Sequence, residues 1–147
     1  MLYRRDQGIA GSLGLLGLRA VVGAAFIVHG WPKIQAPTTW MGPDAPFPGW
    51  MQFLAAAAEF GGGIALVLGL LTPLAALGLA VTMGVAIFKV HVPQGHAFVA
   101  PPGEHSFELA AAYLSAVVTI LLLGPGRFSG DALLFKPKSP AARRPES

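Results

Sequence analysis

One carboxylate, Glu59, stands inside an apolar run from Ala55 to Leu71, with three glycines, Gly61, Gly62 and Gly63, close behind it. A run of that length reads as membrane-spanning, and an acidic side chain near its centre costs about 2.5–3.5 kcal/mol on insertion scales. Glu59 therefore needs a partner. The other ionisable side chains in or beside apolar runs are Arg19, His29, Lys33, Lys89, His91 and Glu108, with His96, Glu104 and His105 in the segments between. Glu59, Arg19 and His91 are the candidates for moving or holding a proton, because intramembrane ionisable residues mark functional sites by default and imidazole titrates near neutrality. His29, Lys33, Lys89 and Glu108 are candidate ligand contacts, since lysines beside histidines could hold an anionic substrate or a quinone oxygen. Each has a structural reading as well. Arg19 and Glu59 could be an ion pair that fixes helix register, the lysines could snorkel to headgroups, and the acidic residues at 104 and 108 suit the first turn of a helix. No metal site is expected, because no His-x-x-His or Glu-x-x-His pair shares a helix, the arrangement bundle metal sites use.

Composition fixes the setting of these residues. The 147-residue chain is 54% hydrophobic and 12% charged, with a mean hydropathy of +0.61, whereas soluble domains carry about a quarter charged residues. It reads as one membrane domain. The absence of cysteine excludes thiol–disulfide chemistry, iron–sulfur ligation and cysteine-type zinc sites. The formal net charge of +3 lies mainly in the chain ends, which suits a topology signal rather than a nucleic-acid footprint.

Four apolar segments, at about 12–31, 49–71, 73–92 and 106–123, predict an all-α integral membrane bundle of four helices over residues 1–135, with 136–147 as a disordered basic tail. Pro32, the Thr72-Pro73 turn, Pro93 and Gly124-Pro125-Gly126 punctuate them. Thr72 is read as the N-cap of the third helix, with Pro73 at its first position. Ala57, Gly61, Ala65 and Gly69 form a small-residue ridge on the second segment, and Ala55, Ala56, Gly62 and Gly63 flank Glu59 on its own face, which puts this segment at the centre of the bundle. Ala76, Ala80 and Gly84 give the third segment a similar ridge. Trp40 and Trp50 sit where interfacial anchors are expected.

Arg4, Arg5, Arg127, Lys136, Lys138, Arg143 and Arg144 fall on one side of such a bundle, against Lys33 and Lys89 on the other. The positive-inside rule then predicts cytoplasmic termini. At ~1.5 Å per residue, Glu59 lies roughly 14 Å below the outer end of its span and Arg19 roughly 18 Å below the end of its own. That predicts an Arg19–Glu59 contact.

Several stretches together resemble the DoxX family of small bacterial membrane proteins. They are His29-Gly30-Trp31-Pro32-Lys33, Glu59-Phe60-Gly61-Gly62-Gly63, Leu68 to Ala76, His91, Glu108 before Tyr113, and Gly124 to Asp131. Pro73 departs from the pattern, where a basic residue commonly follows the threonine. The resemblance implies a four-helix bundle in the bacterial inner membrane. Relatives in that family include a membrane subunit of thiosulfate:quinone oxidoreductase, so it also implies membrane redox chemistry, with quinone as the possible cofactor, partner oxidoreductase subunits and an oligomer or complex. Whether the chain is itself an enzyme is left open. The alternative is a non-catalytic scaffold or assembly subunit that docks a partner protein.

Overall fold

The computed structural model describes residues 8–135. Its elements are helical throughout: α1 (Ile9–Gln35), α2 (Gly49–Leu68), α3 (Thr72–Val85) continued by a π-helical segment (Ala86–His91), α4 (Glu108–Leu123) and a short α5 (Gly130–Leu134). An isolated bridge between Ala97 and Ser106 is the extended pairing seen among the described residues. Three helical stretches, Ile9–Gln35, Gly49–Leu68 and Thr72–His91, are long and apolar enough to cross a membrane, and Glu108–Leu123 is a shorter apolar helix.

Consecutive helices are neighbours, and α1 touches α4 least of the adjacent pairs. Long connections at 36–48 and 92–107 lie at one end of the bundle, and the turn at 69–71 and the segment 124–129 lie at the other. Phe26, Leu66, Leu79, Val117 and Ile120 fill the core, while Val21, Val28, Leu74, Val81, Phe88 and Leu122 are exposed. An apolar surface of this kind is what a bilayer solvates, so helix association has to come from close packing instead of hydrophobic exclusion.

Glycine supplies that packing between α1 and α2. A Cβ at Gly23 would lie 2.7 Å from the Gly63 carbonyl oxygen, and one at Gly63 would lie 2.8 Å from the Gly23 oxygen. A Cβ at Gly30 would meet the Phe60 backbone nitrogen at 2.5 Å. The contact falls on the Glu59 face of α2, as the pattern of residues 62 and 63 predicts. Gly61, expected in a close-packing ridge, instead points to open space.

Three boundaries differ from expectation. Helix α1 runs through Pro32 to Gln35. Proline removes one backbone donor, but the last turn closes beyond it through Ala36 N–H donating to Lys33 O at 3.2 Å. Helix α2 stops at Leu68 because Gly69 takes a left-handed conformation (φ 66°) and Leu70 N–H donates to Ala65 O at 2.9 Å, a Schellman ending. Residue 71, not Thr72, caps α3, at φ 48°. The orphan donors there go to a distant carboxylate: Asp131 accepts from Leu71 N at 2.8 Å and from Thr72 N at 2.9 Å. The basic tail 136–147, and with it Arg4 and Arg5, lies outside the described residues.

Candidate functional site

Glu59 has a lysine partner. Lys33 Nζ donates to both carboxylate oxygens, at 2.6 and 2.7 Å, with the glutamate side chain 3% exposed and the lysine 24%. Two features of the helices bring them together. The Gly30–Phe60 approach sets α1 against α2 just beside the pair. Side chains on a helix also lean toward its N-terminus. Because α1 and α2 are antiparallel, Lys33 leans into the bundle and Glu59 leans out toward the long connections, so the two converge from different depths.

The connection after α1 folds over this pair. The Trp40 ring lies 4.5 Å from Lys33 Nζ, a cation–π contact. Its indole N–H donates to Gln52 O at 3.0 Å. Gln52 is itself buried, donating through Nε2 to Phe47 O at 3.0 Å and accepting Met41 N–H on Oε1 at 3.1 Å. One side chain of α2 thus ties down both arms of the 36–48 segment. Trp31 and Phe60 pack with ring centroids 5.7 Å apart on the flank.

The expected Arg19–Glu59 contact is absent. Arg19 lies at the opposite end of the bundle, 1% exposed, where its guanidinium donates from Nη1 to Pro125 O and from Nη2 to Phe128 O at 2.7 Å. The cause is the true length of α1. Measured from Gln35, Arg19 is sixteen residues or about 24 Å deep, while Glu59 is about 15 Å from the start of α2. Arg19 also leans toward its own N-terminus and so away from Glu59. Around it, a Cβ on Gly69 would lie 2.8 Å from Arg19 Nη1, and Ser129 caps α5 by accepting Ala132 N–H at 3.1 Å. Arg19 and Asp131 together join α1, the α2–α3 turn and the segment after α4.

The remaining candidates divide into separate places. His29 is exposed and edge-on to Tyr113 at 6.1 Å, and Tyr113 also packs on Phe26 at 5.0 Å. His91 meets His96, Nδ1 to Nδ1 at 2.9 Å, and His96 stacks on His105 at 5.0 Å. Lys89 and Glu108 are exposed and join no ion pair among the described residues. No group of three His, Asp or Glu side chains there is arranged to hold a metal ion as it stands.

Trp40, Gln52 and Asp131 escaped sequence reasoning as parts of these arrangements. Gln52 carried a signal, because it precedes Glu59 by seven residues and so shares its helix face. Asp131 stood in the Gly124 to Asp131 stretch, but nothing there pointed to its partners, sixty residues away in sequence.

Residues 14–92 match the DoxX family model. An uncharacterized protein of Haemophilus influenzae is 35% identical over 121 residues, covering 81% of this chain and 89% of its own length. The inner membrane protein YqjF of Escherichia coli is 31% identical over 126 residues, covering 84% and 94%. No solved structure matches.

Proposed function

The chain belongs to the DoxX family as a multi-pass protein of the bacterial inner membrane, and from that premise we propose that it is a quinone-interacting or accessory subunit of a membrane oxidoreductase complex, with Lys33 and Glu59 as its polar contact. The observation that carries this reading is a buried carboxylate bound to a partly exposed ammonium beneath an indole ring. An ammonium donor, a carboxylate acceptor and an aromatic face at the edge of an apolar bundle are the groups a quinone head needs, while its isoprenoid tail can lie along the exposed apolar helices. Arg19 and His91, candidates from sequence, fall outside this contact. His29 lies one turn from Lys33 on the same helix, and it packs edge-on to Tyr113 of α4. On this reading all four apolar helices cross the bilayer, so both termini share one side; the Lys and Arg excess near them supports the cytoplasm as that side and the outer half as the place of the Lys33–Glu59 pair.

Extraction of the detergent-purified protein tests the reading. Co-purified quinone is expected, lost in Glu59→Gln and in Lys33→Met while both variants remain folded. A quinone-free protein whose Glu59→Gln form supports the host's membrane redox activity normally would overturn it. The scaffold alternative is favoured by one observation, the knot of Arg19 and Asp131, which serves only to join elements. It predicts that changes at Lys33 and Glu59 lower stability without a specific activity phenotype.

A further inference from the structure

Three of the chain's four histidines gather at the long-loop end, away from the Lys33–Glu59 pair. His91 ends the π-helical segment, His96 lies in the connection that follows, and His105 precedes α4. The connection is folded on itself: Phe107 N–H donates to Ala97 O at 3.2 Å beside the Ala97–Ser106 bridge, and Phe98 packs on Phe107 at 5.4 Å. It is tied back to the helix at its start. There Gly95 N–H donates to Val92 O at 3.0 Å, His96 N–H donates to His91 O at 3.1 Å, and the His91 and His96 rings meet Nδ1 to Nδ1 at 2.9 Å. Of these ties, the ring contact alone depends on the state of titratable groups.

The 2.9 Å gap between the two nitrogens holds one hydrogen. One Nδ1 carries it and the other offers a lone pair, so the accepting ring has to be neutral. Once both rings are protonated, each Nδ1 carries a hydrogen, no acceptor remains and two positive charges face each other. The contact is then lost. His105 adds to the effect from where it stands, stacked on His96 with centroids 5.0 Å apart, because a charge on its ring repels charge on its neighbour. The surroundings do not offset this. The π-helical segment continues α3, whose residues 72–85 include no titratable side chain, and itself carries Lys89; α4 brings Glu108 and Tyr113, and the connection brings Glu104. Lys89, Glu104 and Glu108 are exposed, and no carboxylate pairs with these histidines among the described residues. Tyr113 packs on Phe26 and His29 instead.

We propose that the His91–His96 pair, backed by His105, is an acid-sensitive latch that fastens the 92–107 connection to the end of the third apolar helix and releases it when both rings are protonated. The sign follows from proton counting: the released form binds one proton more than the fastened form, so each unit fall in pH favours release by up to about tenfold. The latch involves neither Lys33 nor Glu59, so it stands apart from the quinone reading.

The test uses full-length protein in detergent with a single nitroxide on Val99→Cys, an exposed position in the connection. Its mobility is read by electron paramagnetic resonance at about pH 7.5 and about pH 5, the span over which imidazole titrates. A slow spectrum at the higher pH that reversibly gains a mobile component at the lower one is expected. His96→Phe keeps a ring but neither hydrogen-bonds through it nor titrates, so the mobile component is expected at both pH values. A nitroxide on Asp44→Cys, in the other long connection, is expected to give the same spectrum at both. A measurement without substitution reads the ring contact itself: nitrogen resonances of isotope-labelled histidine are expected to show coupling across the Nδ1–H···Nδ1 bond at the higher pH and its loss at the lower. A Val99 spectrum that ignores pH, an unchanged pH response in His96→Phe, equal loosening at residue 44, or a ring coupling that survives acid each overturns the latch.

Discussion

Lys33 and Glu59 are unequal partners, and their difference in exposure decides what each substitution does. Removing one member of a buried pair costs about 3–5 kcal/mol, because the other is left uncompensated. In Glu59→Gln the remaining lysine, a quarter exposed, can extend its ammonium toward water or headgroups. In Lys33→Met the remaining carboxylate, 3% exposed, cannot. Lys33→Met is therefore expected to lower thermal stability in detergent more than Glu59→Gln, and the double substitution to recover part of the loss, giving a coupling energy of about 1–3 kcal/mol in a double-mutant cycle. Equal losses that simply add would show that the two charges do not depend on each other. The need for a partner to Glu59 was legible in the sequence, from the cost of a lone charge in an apolar run. Its identity was not, for two physical reasons. Pro32 reads as a helix end, yet the helix closes another turn past it. Depth counted along two helices also omits the lean of the side chains, which separates Arg19 from Glu59 and brings Lys33 to it.

At the scale of elements, the α1–α2 contact rests on Gly23, Gly30 and Gly63, and the neighbouring Gly61 serves as its control. A Cβ at Gly63 would meet the Gly23 oxygen and the Ile27 nitrogen at 2.8 Å, whereas Gly61 has nothing within 4 Å. Gly63→Ala is expected to destabilise by about 1–3 kcal/mol through overpacking. Gly61→Ala should be neutral or stabilising by up to about 1 kcal/mol, because alanine is the better helix former. Comparable melting temperatures for the two variants would remove the close contact from the account. At the other end, Arg19 serves two carbonyls through separate nitrogens, a forked geometry that a lysine does not reproduce. Arg19→Lys keeps the charge and is nevertheless expected to lower the melting temperature, as is Asp131→Asn, which retains one acceptor oxygen for two backbone donors. Wild-type melting in both would mean that this knot carries no stability. The helices and the small-residue face beside Glu59 were legible from hydropathy and periodicity, whereas Gly61 and Gly84, expected in close-packing ridges, face open space. The Asp131 cap was not legible, since it joins segments about sixty residues apart in the chain.

For the whole molecule, the question that residues and elements leave is which end faces the cytoplasm. Helix α4 has sixteen residues, about 24 Å against a hydrocarbon core of about 30 Å. It can cross only if the bilayer thins locally or if its flanks, the 92–107 connection and the packed segment 124–134, supply the remaining depth. The second condition suits the structure, where Gly126 sits against Leu15 and Ser12 of α1 and Ser129 is buried. On the proposed reading a fourth crossing returns the chain to its starting side, and the excess of Lys and Arg in the sequence at both ends and at residue 127 predicts that this side is the cytoplasm. Because the chain has no cysteine, single introduced thiols report topology without a background. Asp44→Cys, in the connection over Lys33, and Glu104→Cys, before α4, are expected to react with a membrane-impermeant maleimide added to intact cells with a permeabilised outer membrane. Ser139→Cys is expected to react only once the inner membrane is opened. Labelling of residue 139 together with 44 would mean that α4 does not cross. Labelling of 139 alone would invert the molecule, putting Lys33 and Glu59 in the cytoplasmic half and removing the reason to look for their ligand from outside.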